Sequence, residues 1–311
     1  MSQRSGRHRG VPAIRAENLT KHFGAIRAVE GLDLTVETGE VFGYLGPNGA
    51  GKTTTIRLLM DFLRPTSGSA TVLGGVPSDP AVRARIGFLP ADLAVDPRYT
   101  ARDLLDFYGR LRQFRTRTGH DPAWVDSLLQ RFDLDPGRRF GELSTGNRRK
   151  LGIIQAFAHR PELLVLDEPT SGLDPLLQAE FARLIRKMTA GGATVFLSSH
   201  VLPEVEELAG RVAILRRGQL VTVSEVAELG AQARARIEIR LAEPAPPGAF
   251  DGVPGVVEAR YEDSVIHLVV EGSMDQVIKY AATLTVLRLV THEADLEEVF
   301  LSYYAGDGGG A

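Results

Sequence analysis

The chain has no cysteine. That excludes a disulfide framework and any thiolate metal site, so the fold must be held by burial and hydrogen bonding. A reducing compartment fits this usage. No stretch approaches the roughly 18 consecutive apolar residues of a membrane span. Basic residues near the start, Arg4, Arg7 and Arg9, are followed by no apolar run, so a secretory signal is not expected. Work at a membrane would need a partner to supply the spanning part. An excess of one charge is lacking too: 36 basic against 39 acidic residues leave a net charge of −3, which argues against nucleic acid as a partner. What is present suffices for a sizeable core, since hydrophobic residues make up 43% of 311 and a chain of that length suggests about two domains.

Residues 1–10 are polar, basic and aperiodic, and read as a tail without fixed structure. From 11 to 223 the texture is that of one α/β domain. Leu32, Leu34 and Val36 alternate with polar residues as in a half-buried strand, and Val41–Leu45 is a short, fully apolar run. Thr53–Leu63 has helical spacing. Leu163–Leu166, Thr194–Leu197 and Val212–Leu215 read as further buried strands. Between the first two, Leu177, Phe181, Leu184, Ile185 and Met188 share one helix face. Strands alternating with helices imply a mainly parallel sheet covered on both sides. About 92–160 is dominated by apolar helical stretches and reads as a helical insertion. From 224 to 304 the pattern changes to a small α+β unit. Ile237, Ile239 and Leu241 alternate, as do Ile266, Leu268 and Val270. Met274, Val277, Ile278 and Ala281 have helical spacing, as do Leu296, Val299, Phe300 and Tyr303. Residues 305–311 are glycine-rich and read as a loose tail.

Gly46-Pro47-Asn48-Gly49-Ala50-Gly51-Lys52-Thr53 follows a buried strand and opens a helix. Glycines at this spacing let backbone N–H groups curl around phosphate oxygens, and the helix adds its positive end. Lys52 is placed to reach the β- and γ-phosphates of ATP. Thr53 is placed to hold Mg²⁺, with Thr54 beside it in the binding segment. Leu163–Leu166 then runs into Asp167-Glu168. Two carboxylates at the C-terminal end of a buried strand stand where α/β folds bind ligands. Asp167 is a candidate for Mg²⁺, and Glu168 for orienting or deprotonating an attacking water.

Three further segments make the pattern more specific. Leu143-Ser144-Thr145-Gly146-Asn147 resembles the signature of ABC ATPases, whose usual form is L-S-G-G-Q. Ser171-Gly172-Leu173-Asp174 resembles the family's D-loop, and Ser198-Ser199-His200 its switch-histidine region. The resemblance covers about residues 13–222 and implies a P-loop core with an antiparallel β subdomain. It also implies that Phe23 stacks on adenine, that His200 acts near the γ-phosphate, and that Ser144, Gly146, Asn147 and Asp174 belong to the nucleotide site. Ser144 and Gly146 would serve the nucleotide of a second protomer, so the working unit is a head-to-tail pair, with a homodimer as the expectation. Asp295–Leu301 looks like the closing segment of ABC-2-type export ATPases. Together these imply an ATP-hydrolysing subunit of an exporter, docked on the cytoplasmic face of the membrane to a separately encoded permease, with the stretch Phe88–Phe107 as the candidate docking surface. The C-terminal unit would then be a packing and dimer-supporting module. A soluble ABC protein acting on ribosomes or in regulation is the alternative.

The chain departs from the family pattern at several points. Thr145 and Asn147 replace a glycine and a glutamine of the signature. Where the family has its Q-loop glutamine, Pro90 is followed by Ala91 and Asp92; Asp92 could contribute to the metal through water. Arg148, Arg149 and Lys150 could strengthen the field on ATP or form a solvated helix face, and no catalytic role is expected of them.

Overall fold

A computed structural model of the chain describes residues 10–116, 121–232, 234–246 and 248–292. The expectations for residues 1–9, for Leu296, Val299, Phe300 and Tyr303, for Asp295–Leu301 and for 305–311 lie outside the described residues. The chain forms two compact units, one ending at Val223 and one starting at Ser224.

The first unit contains, in chain order, β1 (Ile14–Phe23), β2 (Ile26–Val36), β3 (Val41–Leu45), α1 (Lys52–Leu59), β4 (Ser67–Val72), α2 (Pro80–Arg83) and β5 (Ile86–Leu89). Three helices follow, α3 (Ala101–Thr116), α4 (Pro122–Arg131) and α5 (Thr145–Phe157). Then come β6 (Leu163–Asp167), α6 (Pro175–Ala190), β7 (Thr194–Ser199), α7 (Leu202–Leu208), β8 (Arg211–Arg216) and β9 (Gln219–Glu225), whose last two residues fall past the division at Val223. Six strands form a sheet in the order β5-β6-β7-β3-β8-β9, with every pair from β5 to β8 parallel. The β8–β9 connection is the two-residue turn Arg217-Gly218, both at positive φ, so β9 returns antiparallel. β2, β1 and β4 form a separate antiparallel sheet. This is the expected α/β fold: a mainly parallel P-loop core, an antiparallel β subdomain and a helical insertion.

The central strands are apolar throughout because helices cover both faces. Every residue of β3, β6 and β7 is buried. Close helix contact needs glycine in the sheet. A methyl group at Gly43 would lie 2.3 Å from Val205 Cγ1 of α7, and one at Gly87 would lie 2.2 Å from Ala156 O of α5.

The apolar spacing of Thr53–Leu63 overstates α1, which stops at Leu59. Asp61 turns left-handed at φ 55°. Its N–H donates to Leu58 O at 3.1 Å, and the Phe62 N–H donates to Arg57 O at 2.8 Å. This is a Schellman closure with aspartate in place of the usual glycine. Met60 is still buried and Leu63 still packs on the core, so the periodicity reports burial past the helix end.

In the second unit α8 (Val226–Gln232) precedes β10 (Arg234–Leu241), β11 (Val256–Glu262), β12 (Val265–Glu271), α9 (Asp275–Ala281) and β13 (Val286–His292). The four strands form an antiparallel sheet in the order β11-β12-β10-β13. Ile237, Ile239, Leu241, Ile266, Leu268 and Val270 line its buried face together with Val277 and Ala281 of α9.

Gly87→Ala tests the closeness of α5 to the sheet. The clash is with a backbone carbonyl, so the variant should lose about 1–3 kcal/mol of stability. Urea unfolding reports it through Trp124, a buried ring whose Nε1–H donates to Phe157 O at 3.0 Å. An unchanged midpoint would mean that α5 can leave β5 freely.

Candidate active site

The loop from Gly46 to Gly51 leaves the end of β3 and opens α1. Gly49 and Gly51 have φ of 82° and 108°, a region glycine enters without the Cβ penalty. A methyl at Gly51 would lie 2.4 Å from Ala28 O, and one at Gly46 would lie 2.9 Å from Leu215 O. The loop is therefore fitted against β2 and β8. Gly51 provides no side-chain cap for α1, which leaves first-turn N–H groups for an anion. Pro47, Asn48 and Gly49 are exposed, Ala50 is buried, and Thr54 is half-buried.

Lys52 is only 5% exposed. Its ammonium donates to Gly46 O at 2.6 Å and Pro47 O at 3.3 Å, and lies 3.1 Å from Glu168 Oε1. That carboxylate oxygen is buried and accepts no well-angled hydrogen bond, so the contact with Lys52 is chiefly charge attraction. The Thr53 hydroxyl donates to Asp167 Oδ2 at 2.8 Å, and the Ser198 hydroxyl donates to Asp167 Oδ1 at 2.5 Å. Asp167 is 1% exposed, so these two hydroxyls satisfy a carboxylate that burial would otherwise penalise. Below them, the Tyr44 hydroxyl donates to Thr55 Oγ1 at 3.0 Å, and burial pushes the Tyr44 phenol above its usual range.

Glu168 follows Asp167 in a left-handed conformation, φ 51°. Its N–H donates to Ser198 O at 3.1 Å, and its Oε2 lies 2.7 Å from His200 Nδ1. The adjoining carboxyl ends of β6, β7 and β3 thus bring Lys52, Thr53, Asp167, Glu168 and His200 together. A buried cation, a hydroxyl beside a carboxylate, and a second carboxylate held by a histidine can bind a polyphosphate and activate a water.

The signature lies elsewhere along the sheet. Ser144 caps α5, its hydroxyl accepting the Asn147 N–H at 3.3 Å. A methyl at Gly146 would approach Gly172 O to 3.4 Å. α5 packs on β5, three strands from β3, or roughly 14 Å at the ordinary strand spacing. Asp174 caps α6, accepting the Leu177 N–H at 3.0 Å. Phe23 ends β1 and is 45% exposed, with Lys21 Nζ 5.2 Å from its ring centroid. Asp92 is exposed on the loop after β5, within electrostatic reach of Arg149. No group of three or more His, Asp and Glu side chains able to hold a metal occurs among the described residues.

Two residues escaped the sequence reading of the site. Ser198 carries little local signal, a hydroxyl at a buried strand end. Arg149 is buried at 7% exposure, so the solvated-face alternative for Arg148–Lys150 fails at its central residue.

Comparison with known proteins agrees with this geometry. A family profile described as ABC transporter matches residues 29–171. The chain is 40% identical over 242 residues to the daunorubicin resistance ATP-binding protein DrrA3 of Streptomyces coeruleorubidus, covering 76% of each. It is 34% identical over 235 residues to the bacitracin transport ATP-binding protein BcrA of Bacillus licheniformis, covering 74% of this chain and 75% of that one. The solved structure of an ATP-binding subunit of an ABC transporter matches with a TM-score of 0.64 at 25% identity, covering 70% of this chain and 91% of that one. A dimeric ATP-binding cassette bound to ADP and Pi matches in fold, with a TM-score of 0.61 at 22% identity over 68% of this chain and 98% of that one.

Ser198→Ala would strand Asp167 Oδ1 in a buried position. The expected cost is about 1–3 kcal/mol of stability, read by urea unfolding. A variant as stable as the parent would show that water replaces the hydroxyl and that the carboxylate is not sealed in.

Proposed function

The chain belongs to the ABC transporter family, and from that premise we propose how its residues bind and hydrolyse ATP. It is an ATP-hydrolysing subunit of the exporter type. The observation that carries the residue-level reading is the meeting of Lys52, Thr53, Asp167, Glu168 and His200 at one sheet edge.

In this reading Phe23 offers an exposed ring to adenine, and the N–H groups of Gly46–Thr54 surround the phosphates. Lys52 turns from Glu168 to the β- and γ-phosphates, whose charge competes for it. Glu168, released from Lys52 but still held by His200, accepts a proton from the water that attacks the γ-phosphorus, and the bond to the ADP oxygen breaks. Thr53 and Asp167 fit Mg²⁺, because their oxygens already face each other at 2.8 Å. When bound, Mg²⁺ neutralises charge on the β- and γ-phosphates.

Ser144 and Gly146, placed along the sheet from their own P-loop, serve the nucleotide of a partner copy, so two copies close two composite sites. Asn147 supports this arrangement by its N–H to Ser144, and Asp174 holds the neighbouring loop. A separate permease receives the closure through the surface around Phe88–Phe107 and holds the subunit at the membrane's cytoplasmic face. No helix among the described residues is long and apolar enough to cross a membrane. The relatives named for daunorubicin and bacitracin make a drug or antibiotic the class of cargo to test first.

Glu168→Gln should slow ATP turnover by roughly 10²–10⁴-fold while retaining ATP binding and accumulating a dimer in gel filtration with ATP. Turnover at the parental rate would remove Glu168 as the base. Lys52→Ala should instead weaken nucleotide binding itself, measured by calorimetry. Unaltered affinity would overturn the reading of the P-loop. Affinity capture from membranes should recover a multi-span partner, whereas recovery with ribosomes alone would favour a non-transport role.

A further inference from the structure

One buried cation has no part in the scheme above. Arg149 lies in the second turn of α5, just after the signature. Its Nε donates to Pro169 O at 3.0 Å. Nη1 donates to Pro90 O at 2.7 Å and to Ala91 O at 3.0 Å. Nη2 donates to Asp167 O at 2.6 Å and also to Glu168 O. A guanidinium has five N–H donors, and all are spent here on five backbone carbonyls. No carboxylate forms an ion pair with it among the described residues. Burial pulls the Arg149 guanidinium below its usual value, an effect opposed by the fields of Asp167, Glu168, Asp92 and Glu204.

The five carbonyls belong to two segments distant in sequence. Pro90 and Ala91 begin the loop after β5, while Asp167, Glu168 and Pro169 carry the end of β6 into the next turn. The arginine comes from a third element, the signature helix. One turn further along α5, Gly152 keeps that helix against the same strand, since a methyl there would lie 2.6 Å from Leu89 Cδ1. Ala91 stands where the family places a glutamine, so its side chain can bond nothing, yet its carbonyl is held by Arg149.

We infer that Arg149 is a positioning residue for Glu168, locking the end of β6 and the Pro90–Ala91 loop to the signature helix as one unit. A displacement of that loop is then passed to the Glu168 backbone, and so to the carboxylate that meets the water. The inference rests on the reading of Glu168 as the base. Lysine cannot substitute, because three donors at one nitrogen cannot span five carbonyls that a planar fork reaches.

The test uses the full chain. Arg149→Lys should lower kcat by roughly 10- to 100-fold, the scale of a displaced reacting group, with the ATP dissociation constant within about twofold of the parent's; Trp124-monitored unfolding, whose midpoint should fall because buried carbonyls lose donors, checks that the variant is folded at the assay temperature. Arg149→Ala should regain part of its turnover in millimolar guanidinium, and none in ammonium. Parental kcat in Arg149→Lys, a fall in kcat matched by an equal loss of ATP affinity, or indifference of Arg149→Ala to guanidinium would each overturn the inference. If Arg149→Ala fails to fold, the split between kcat and affinity in Arg149→Lys decides alone. Glu168→Gln is the control that separates the two proposals. If it keeps full turnover, the reading of Glu168 fails; if it is inactive while Arg149→Lys is fully active, only the role of Arg149 fails.

Discussion

A carboxylate at 1% exposure must have its oxygens met by donors, or its burial goes uncompensated, and the Asp167 carboxylate is met by Thr53 on one side and Ser198 on the other. These partners come from three elements separated by long stretches of sequence, yet the parallel sheet delivers them side by side. β6 carries Asp167, β7 carries Ser198, and β3 leads into the loop that carries Thr53. If β6 slipped by one residue against β7, Asp167 would exchange faces and the bonds to both hydroxyls would be lost. The local geometry of the site is thus a consequence of strand register, held in place by the cost of stranding a buried charge.

The same sheet order accounts for the separation of the two halves of the nucleotide site. β3 is central and β5 is at the edge, and the signature helix belongs to β5. Ser144 offers a helix N-terminus, but at a position along the sheet different from that of its own phosphate loop. In the proposed head-to-tail pair the mismatch would be removed, since each copy would present its signature where the other lacks one.

What the sequence disclosed follows the range over which its signals act. The P-loop, the apolar strands before it and before Asp167, and the cap at Ser144 are local patterns, and each was legible. β1, β4, β5, β9, β11 and β13 were not marked as strands. β1 is interrupted by register shifts around Asn18 and Leu19, which break strict alternation. In β11 the burial pattern is mostly exposed and intermediate, so no apolar face stands out. The end of α1 was missed because an aspartate takes the left-handed position where glycine is the usual signal. Arg149 was illegible for another reason. Within Arg148-Arg149-Lys150 nothing distinguishes one cation from its neighbours, and its partners are carbonyls, which every residue has. Only the fold tells which of the three points inward.

The departures from the signature pattern become intelligible in these terms. Asn147 replaces a glutamine, but its visible task is to donate a backbone N–H to the Ser144 hydroxyl, which any residue except proline could do. Thr145 is exposed in the first turn of α5. Gly146 is different. It stands against Gly172 O, and the 3.4 Å left for a methyl gives no space for a longer side chain without moving the loop that Asp174 anchors. Ser144 combines two tasks, capping α5 and presenting a hydroxyl, which few side chains can do together. The two positions that changed carry backbone or solvent-facing tasks. The two that did not change are those where a side chain, or the lack of one, sets the geometry.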